Sequence, residues 1–229
     1  MKVFAIGDLH LSGGTDKPMD VFGPAWQNHG ERIANAWVDS VSQEDIVLLP
    51  GDFSWAMHLN QVRADMEWLA ALPGTKLMIR GNHDYWWNSV TQVRAALPPS
   101  MFVLQNDCFS FGDLHVAGTR GWICPGSAVF AGDDQKIYDR EVLRLGLSLS
   151  ALPSGGRRIA MLHYPPFNEN RAPSGFSEQL ERAGVELVVY GHLHGRSCRG
   201  GFEGVRNGVE YRLVSADHIE FKPKLILEL

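Results

Sequence analysis

Asp8-Leu-His10, Gly51-Asp52, Gly81-Asn82-His83-Asp84, His163 and Gly191-His192-Leu-His194 hold most of the metal-type ligands of this 229-residue chain, each at or near the end of an apolar run. Carboxylate, imidazole and carboxamide groups form the mixed hard and borderline donor set that suits Mn, Fe, Zn or Co. A pair of such ions can clamp the attacking and leaving oxygens of an in-line displacement at phosphorus. Each piece alone has a plainer reading. A lone Asp-x-His is a capped turn, Asn82 a helix cap and His163 a core or loop histidine. The array together is chemically coherent.

Asp8 and His10 are two residues apart, and on near-extended chain both side chains point the same way, so one ion could take both. His192 and His194 repeat that spacing between Gly191 and Gly195, which leave the backbone free to turn. The chain supplies its own control, because Gly-Asp-Leu-His occurs a second time at Gly112 to His115. There it lies between Phe109-Ser-Phe111 and Leu114-His-Val-Ala117, so Gly112-Asp113 reads as a hairpin turn and Asp113 and His115 as structural.

Donors this far apart need a scaffold that gathers strand ends. Lys2 to Ile6 and Ile46 to Leu49 read as strands around a helix over Pro24 to Val41. A helix near Gln61 to Leu72, a strand near Lys76 to Ile79 and a helix near Ser89 to Leu97 continue the alternation. Such alternation predicts an α/β core. Met101 to Leu104, Cys108 to Phe111 and Leu114 to Ala117 read as consecutive antiparallel strands that begin a second sheet or a sheet extension. Arg120 to Asp134 reads as a long loop, Asp133 to Leu149 and Ser177 to Ala183 as helices, and Arg158 to Leu162 and Leu187 to Tyr190 as strands. Val209 to Leu229 reads as closing strands. Asp8, Asp52, Asn82, His163 and His192 each follow a strand closely, and in open α/β sheets the ligand crevice lies beyond the carboxyl ends of the strands.

The length fits one domain over residues 1–229. A net charge of −5 gives no general attraction to nucleic acid. No apolar stretch reaches the roughly 18 residues of a membrane span, and the apolar start is too short for a secretory signal. Cys108, Cys124 and Cys198 contain no Cys-x-x-Cys pair, so neither a disulfide framework nor a thiolate zinc site is expected and a reducing cytoplasm fits best.

Taken in order, Asp-x-His, Gly-Asp, Gly-Asn-His-Asp, His and Gly-His-x-His resemble the calcineurin-like metallophosphoesterase superfamily, in particular its bacterial-type phosphohydrolases, from residue 8 to residue 194. The resemblance implies an α/β fold, a four-layer αββα sandwich of two mixed β-sheets flanked by helices. It implies two divalent metal ions, with Mn favoured among Mn, Fe, Zn and Co. Asp8, His10 and His194 would hold one, Asn82, His163 and His192 the other, and Asp52 would bridge both. It further implies hydrolysis of a phosphomonoester or phosphodiester by a metal-bridging hydroxide, with His83, not a ligand, protonating the leaving oxygen or stabilising charge on it.

One position departs from the pattern. Many members read Gly-Asp-x-x-Asp or Gly-Asp-x-x-Arg, whereas here Trp55 takes that place. The acid that helps orient the motif histidine is therefore absent. Asp84 is the nearest stand-in, and a turn-capping carboxylate is its simpler role.

The expected partner is a small phosphorylated substrate, with a nucleotide among the candidates because Trp55 and Tyr85-Trp86-Trp87 could stack on a base. Core packing is the simpler role for such large aromatics. Arg120, Arg171 and Arg196 could clamp a phosphate. His29, His58 and His218 fall outside the array and read as surface or packing residues. A nuclease of the same superfamily, disfavoured by the acidic balance, and a non-catalytic interaction module are the competing readings.

Overall fold

Ile46-Val47-Leu48-Leu49 is buried at every position, and a continuous apolar run of that kind belongs inside a parallel sheet covered on both faces. The computed structural model, which describes residues 1–17 and 19–229, places this strand, β2 (Ile46–Leu49), between β1 (Lys2–Ala5) and β3 (Thr75–Met78). β4 (Met101–Val103) extends the sheet in parallel beyond β3, and β11 (Lys224–Glu228) closes the other edge antiparallel to β1.

The second sheet runs β5 (Phe109–Phe111), β6 (Leu114–Thr119), β7 (Arg157–Leu162), β8 (Leu187–Tyr190), β10 (Val209–Leu213) and β9 (Gly204–Arg206). Its four inner strands are parallel, and its two edge strands are antiparallel to their neighbours.

Alternation along each strand decides the layers. Val3, Ala5, Leu48 and Leu77 face Val116, Ile159, Met161 and Val189 across the interface between the sheets. The opposite residues of the first sheet, such as Phe4, Val47 and Met78, pack on α1 (His29–Ser40), α2 (Arg63–Ala70) and α3 (Val90–Ala96) through Ile33, Trp37, Met66, Leu69 and Val93. The outer face of the second sheet packs on α4 (Asp134–Ser150) and α5 (Gly175–Arg182) through Leu145, Leu149, Phe176 and Leu180. The result is the four-layer αββα sandwich of two mixed sheets. Among the described residues no helix is long and apolar enough to cross a membrane.

Lys76 interrupts the apolar pattern of β3. It is fully buried, and its Nζ donates to the Leu72 carbonyl. Burial pushes its ammonium from the usual 10.5 down to about 8. A lysine whose folded pKa is depressed weakens the fold fully below the lower value and ceases to do so above the upper one. Lys76→Met is therefore expected to raise the urea midpoint at pH 7, by roughly 1 to 3 kcal/mol in unfolding free energy. The advantage should narrow as the pH rises from about 8 to 10.5.

Two sequence expectations change, and a third gains its pairing. Met101 to Leu104 is not the first of three consecutive antiparallel strands, because β4 extends the first sheet in parallel with β3. The chain then crosses over through a turn with Asn106 at φ 60°. The expected helix over Pro24 to Val41 is broken, with a 3₁₀ turn at Pro24–Trp26 and Asn28 at φ 50° before α1 begins. The tail holds an inner strand of one sheet, β10, and an edge strand of the other, β11, joined by a turn that returns past Gly7. The second Gly-Asp-Leu-His is a hairpin as expected: Phe111 pairs with Leu114, and His115 Nδ1 lies 2.8 Å from Ser110 Oγ.

Candidate metal centre

The strands that precede the donors run parallel to one another within each sheet and end on the same side of it. β1 leads to Asp8 and His10, β2 to Asp52, β3 to Asn82 and His83, β7 to His163, and β8 to His192 and His194. The two sheets thus deliver all eight residues to one edge, where carboxyl ends of parallel strands form a crevice.

Near-extended geometry does not describe these segments. Asp8, His10, Asp52 and His192 all adopt the left-handed region, at φ 58°, 46°, 51° and 74°. Such backbone costs on the order of 1 kcal/mol per residue and gathers at functional sites. Local bonds hold it in place. Asp8 N–H donates to Gly51 O at 2.9 Å and His10 N–H to Asp52 O at 3.0 Å. His192 N–H donates to both oxygens of Asp8, at 3.0 Å each. Two glycines are required by close approach. A Cβ on Gly81 would stand 2.1 Å from Asp52 Oδ1, and one on Gly191 would stand 2.3 Å from Asp8 Oδ2.

The donor atoms form two groups. One oxygen of Asp8 and one nitrogen each of His10 and His194 lie within 4.8 Å of one another, as do atoms of Asp8, Asp52 and His163. Asp52 Oδ2 faces both groups, 3.8 Å from His10 Nε2 and 3.5 Å from His163 Nε2. Asn82 Oδ1 joins the second group, 2.6 Å from His163 Nε2 and 2.9 Å from His192 Nδ1.

Proton bookkeeping identifies what is missing between these atoms. His163 Nδ1 lies 3.0 Å from the Pro50 carbonyl, which can only accept, so its proton sits there and Nε2 is left with a lone pair. That lone pair meets only oxygens of Asn82 and Asp52. Burial and neighbouring charges hold the His163 and His192 imidazoles down to about 3, hence neutral and able to ligate. Burial pushes the Asp52 carboxyl well up, and the nearby Asp84 and Asp8 carboxylates push it further. Among the described residues no Lys or Arg lies within 4.0 Å of Asp8 or Asp52. Buried carboxylates and lone pairs without a cationic side chain fit divalent cations.

Two carboxylates outside the expected ligand set support the centre. Asp217 accepts from His194 Nδ1 at 2.9 Å and from Gly195 N–H at 2.8 Å, turning His194 Nε2 toward His10 and Asp8. Burial opposes charge on His194, but its bonds to Asp217 and Asp8 outweigh that and raise it to about 10. Loading an ion there must displace that proton. Sequence reasoning missed Asp217. It lies in the Ser215-Ala216-Asp217 turn after β10, the same strand-end placement as the other donors, inside a tail read only as strands.

Asp84 is fully buried and does not replace the absent acid. Its oxygens accept from the N–H groups of Gly81 at 2.7 Å, Asp52 and Phe53 at 2.9 Å each, Ser54 at 3.3 Å and the Trp86 indole at 3.1 Å. It ties the β2 and β3 loops together. Asp84→Asn turns an N–H donor toward some of these donors and should cost about 3 kcal/mol of stability, read from the urea midpoint.

His83 is half-buried and lies beside the first group, its ring 5.7 Å from that of His10. Trp55, in the place of the acid, packs on it at 4.6 Å and stacks on His10 at 4.8 Å with the planes 22° apart. Tyr85 Oη is 3.4 Å from His83 Nδ1. Trp86 and Trp87 are core residues, whereas Trp26, expected within a helix, reaches His10 and His194 at 5.9 and 5.6 Å. Arg120 pairs with Glu141 at 3.4 Å, and Arg171 leans toward Phe202. His29 is a packing residue between the Trp26 and Leu9 carbonyls, and His218 pairs with Glu203.

The calcineurin-like phosphoesterase family model matches residues 1–196, a span that holds every donor from Asp8 to His194. The gene 66 protein of Mycobacterium phage D29 is 35% identical over 198 residues, which cover 86% of this chain and 80% of the phage protein. Two solved structures share the fold. Phosphopantetheinyl hydrolase from Mycobacterium tuberculosis has a TM-score of 0.59 at 12% identity, covering 100% of this chain and 96% of its own. A protein of unknown function from Aquifex aeolicus has 0.55 at 15%, covering 98% and 95%.

Proposed function

The chain belongs to the calcineurin-like phosphoesterase family, and from that premise we propose a hydrolase that cleaves phosphoric esters at two divalent ions. Asp8, His10 and His194 would hold one ion, and Asn82, His163 and His192 the other. Asp52 would be shared between them. The observation that carries this reading is the position of Asp52 Oδ2, within 4 Å of a nitrogen from each histidine group while no Lys or Arg among the described residues neutralises it.

Bound ions, with Mn the favoured metal, supply Lewis-acid stabilisation of the phosphoryl oxygens and an acidified water. The chain's own groups do the rest. Asp217 fixes the His194 ring and the Pro50 carbonyl fixes His163, so both present Nε2 to the cluster without reorganising. His83 stands at the edge of the first group and delivers a proton to the departing ester oxygen. Burial lowers its pKa, which makes its protonated form a stronger acid. Trp26 and Trp55 form an apolar wall beside His10 on this side.

The reading is tested by metal analysis joined to hydrolysis of aryl phosphates under Mn, Zn or Co. Two ions per chain and turnover are expected. Protein that binds no metal and turns over no ester would move the chain to the non-catalytic interaction module.

A further inference from the structure

Two separate cavities border the donor cluster, one beside each histidine group. The first, about 320 Å³, is lined by His192, Tyr164 and the apolar side chains of Ile123, Val129, Phe167 and Leu193. The second, about 380 Å³, is lined by His10, His83 and His194 together with Phe22, Trp26 and Trp55. They share no lining residue and adjoin through the His192-Leu-His-Gly195 stretch. Since a cavity of about 150 Å³ can take a benzene ring, each has room for an aryl or comparable alkyl group.

Charge points the same way as volume. Among the described residues no Lys or Arg lines either cavity, and the ammonium of Lys17 stands beside the second, 5.2 Å from the Trp55 ring. Arg120, the obvious candidate for an extra phosphate contact, is turned to Glu141 and stacked over Trp122 at 4.6 Å, in a different cavity. Glu169 lines the first cavity, its carboxylate accepting from Ser127 Oγ at 2.7 Å, and repels further negative charge there. A monoester dianion brings two charges and one arm. A diester brings one charge and two arms, which matches two separate cavities with largely apolar walls.

Resting on the phosphoesterase reading above, we propose that the substrate is a phosphodiester with two bulky uncharged substituents, the leaving one in the Trp26 and Trp55 cavity beside His83 and the retained one in the Ile123 and Val129 cavity beside His192. Water oxygen bonds to phosphorus, and the ester P–O bond on the His83 side breaks with its electron pair on the leaving oxygen. That oxygen takes a proton, and the second proton of the water goes to solvent. The products are an alcohol and a phosphomonoester, and the retained arm explains a cavity that a monoesterase would not need.

The test compares bis(4-nitrophenyl) phosphate, 4-nitrophenyl methyl phosphate and 4-nitrophenyl phosphate on the metal-loaded protein. The bis-aryl diester should exceed both others in kcat/KM by at least about tenfold. Val129→Trp, at an exposed position that tolerates bulk, should fill the retained-arm cavity and reduce the ratio of bis-aryl to methyl aryl diester by about tenfold. Calorimetry on metal-loaded His83→Ala, with turnover suppressed, should find diphenyl phosphate bound at least about tenfold tighter than phenyl phosphate. Monoester turned over as well as the bis-aryl diester, with Val129→Trp leaving the diester ratio unchanged, would overturn the two-arm assignment while leaving the phosphoesterase reading intact. No turnover of any ester by metal-loaded protein would overturn that reading and this inference with it.

Discussion

Asp52→Asn is expected to lose metal and hydrolysis together: fewer than two ions per chain, and kcat/KM lower by about 10³-fold or more, equivalent to roughly 4 kcal/mol of transition-state stabilisation. The substitution keeps shape and removes one charge. Asp52 Oδ2 is the carboxylate oxygen that reaches both His10 and His163, and an amide cannot donate two charged lone pairs to two cations. The same variant should stabilise the metal-free protein. Burial, Asp84 and Asp8 raise the Asp52 carboxyl well above its usual range. With the folded pKa above the unfolded one, the folded chain binds more protons between them, so ionising Asp52 erodes stability as the pH rises through that window. The neutral amide escapes the penalty. A raised melting temperature in chelator, together with lost metal in its absence, separates this mechanism from misfolding. Undiminished turnover by Asp52→Asn would remove the shared-ligand assignment.

His83→Ala should produce the opposite pattern, with metal content unchanged and hydrolysis reduced by about 10² to 10⁴-fold. Metal is retained because the contact between residue 83 and the ligands is made by backbone. His83 N–H donates to Asp52 Oδ1 at 2.7 Å, and alanine keeps that donor. Activity falls because the ring that neighbours His10 at 5.7 Å is gone. The loss should deepen as the leaving group becomes more basic, so phenyl esters should suffer more than 4-nitrophenyl esters. An equal loss for both would remove proton delivery from His83, and undiminished turnover would remove its role entirely. Among the described residues no acid reaches the His83 ring, which is flanked by the Trp55 ring at 4.6 Å and Tyr85 Oη at 3.4 Å. Tyr85 is the only hydrogen-bonding partner of that ring among the described residues.

Much of the architecture was legible because it is local. The runs at β1, β2, β7 and β8 each hold at least three consecutive apolar residues, and the turn that isolates Asp113 and His115 is written in Gly112-Asp113. Errors fell where pairing partner, not propensity, decides. β4 has the composition of any short strand, and only its register against Lys76 to Met78 puts it in the first sheet. Spacing alone predicts Trp26 within a helix, yet Asn28 in the left-handed region breaks that helix and leaves the indole beside the site.

By itself, the sequence determined the donor chemistry and the strand ends that carry it, because ligand type is a property of single residues and strand ends follow from short apolar runs. Only the tertiary structure decided how those ends converge. Asp8 meets His192 across 184 positions of chain because the two sheets pack face to face with their parallel strands ending at one edge. The left-handed backbone of the donor loops, the Asp217 support for His194, the clamp at Asp84 and the two cavities all arise from that packing. They involve partners far apart in sequence, and no local pattern encodes which distant loop will arrive.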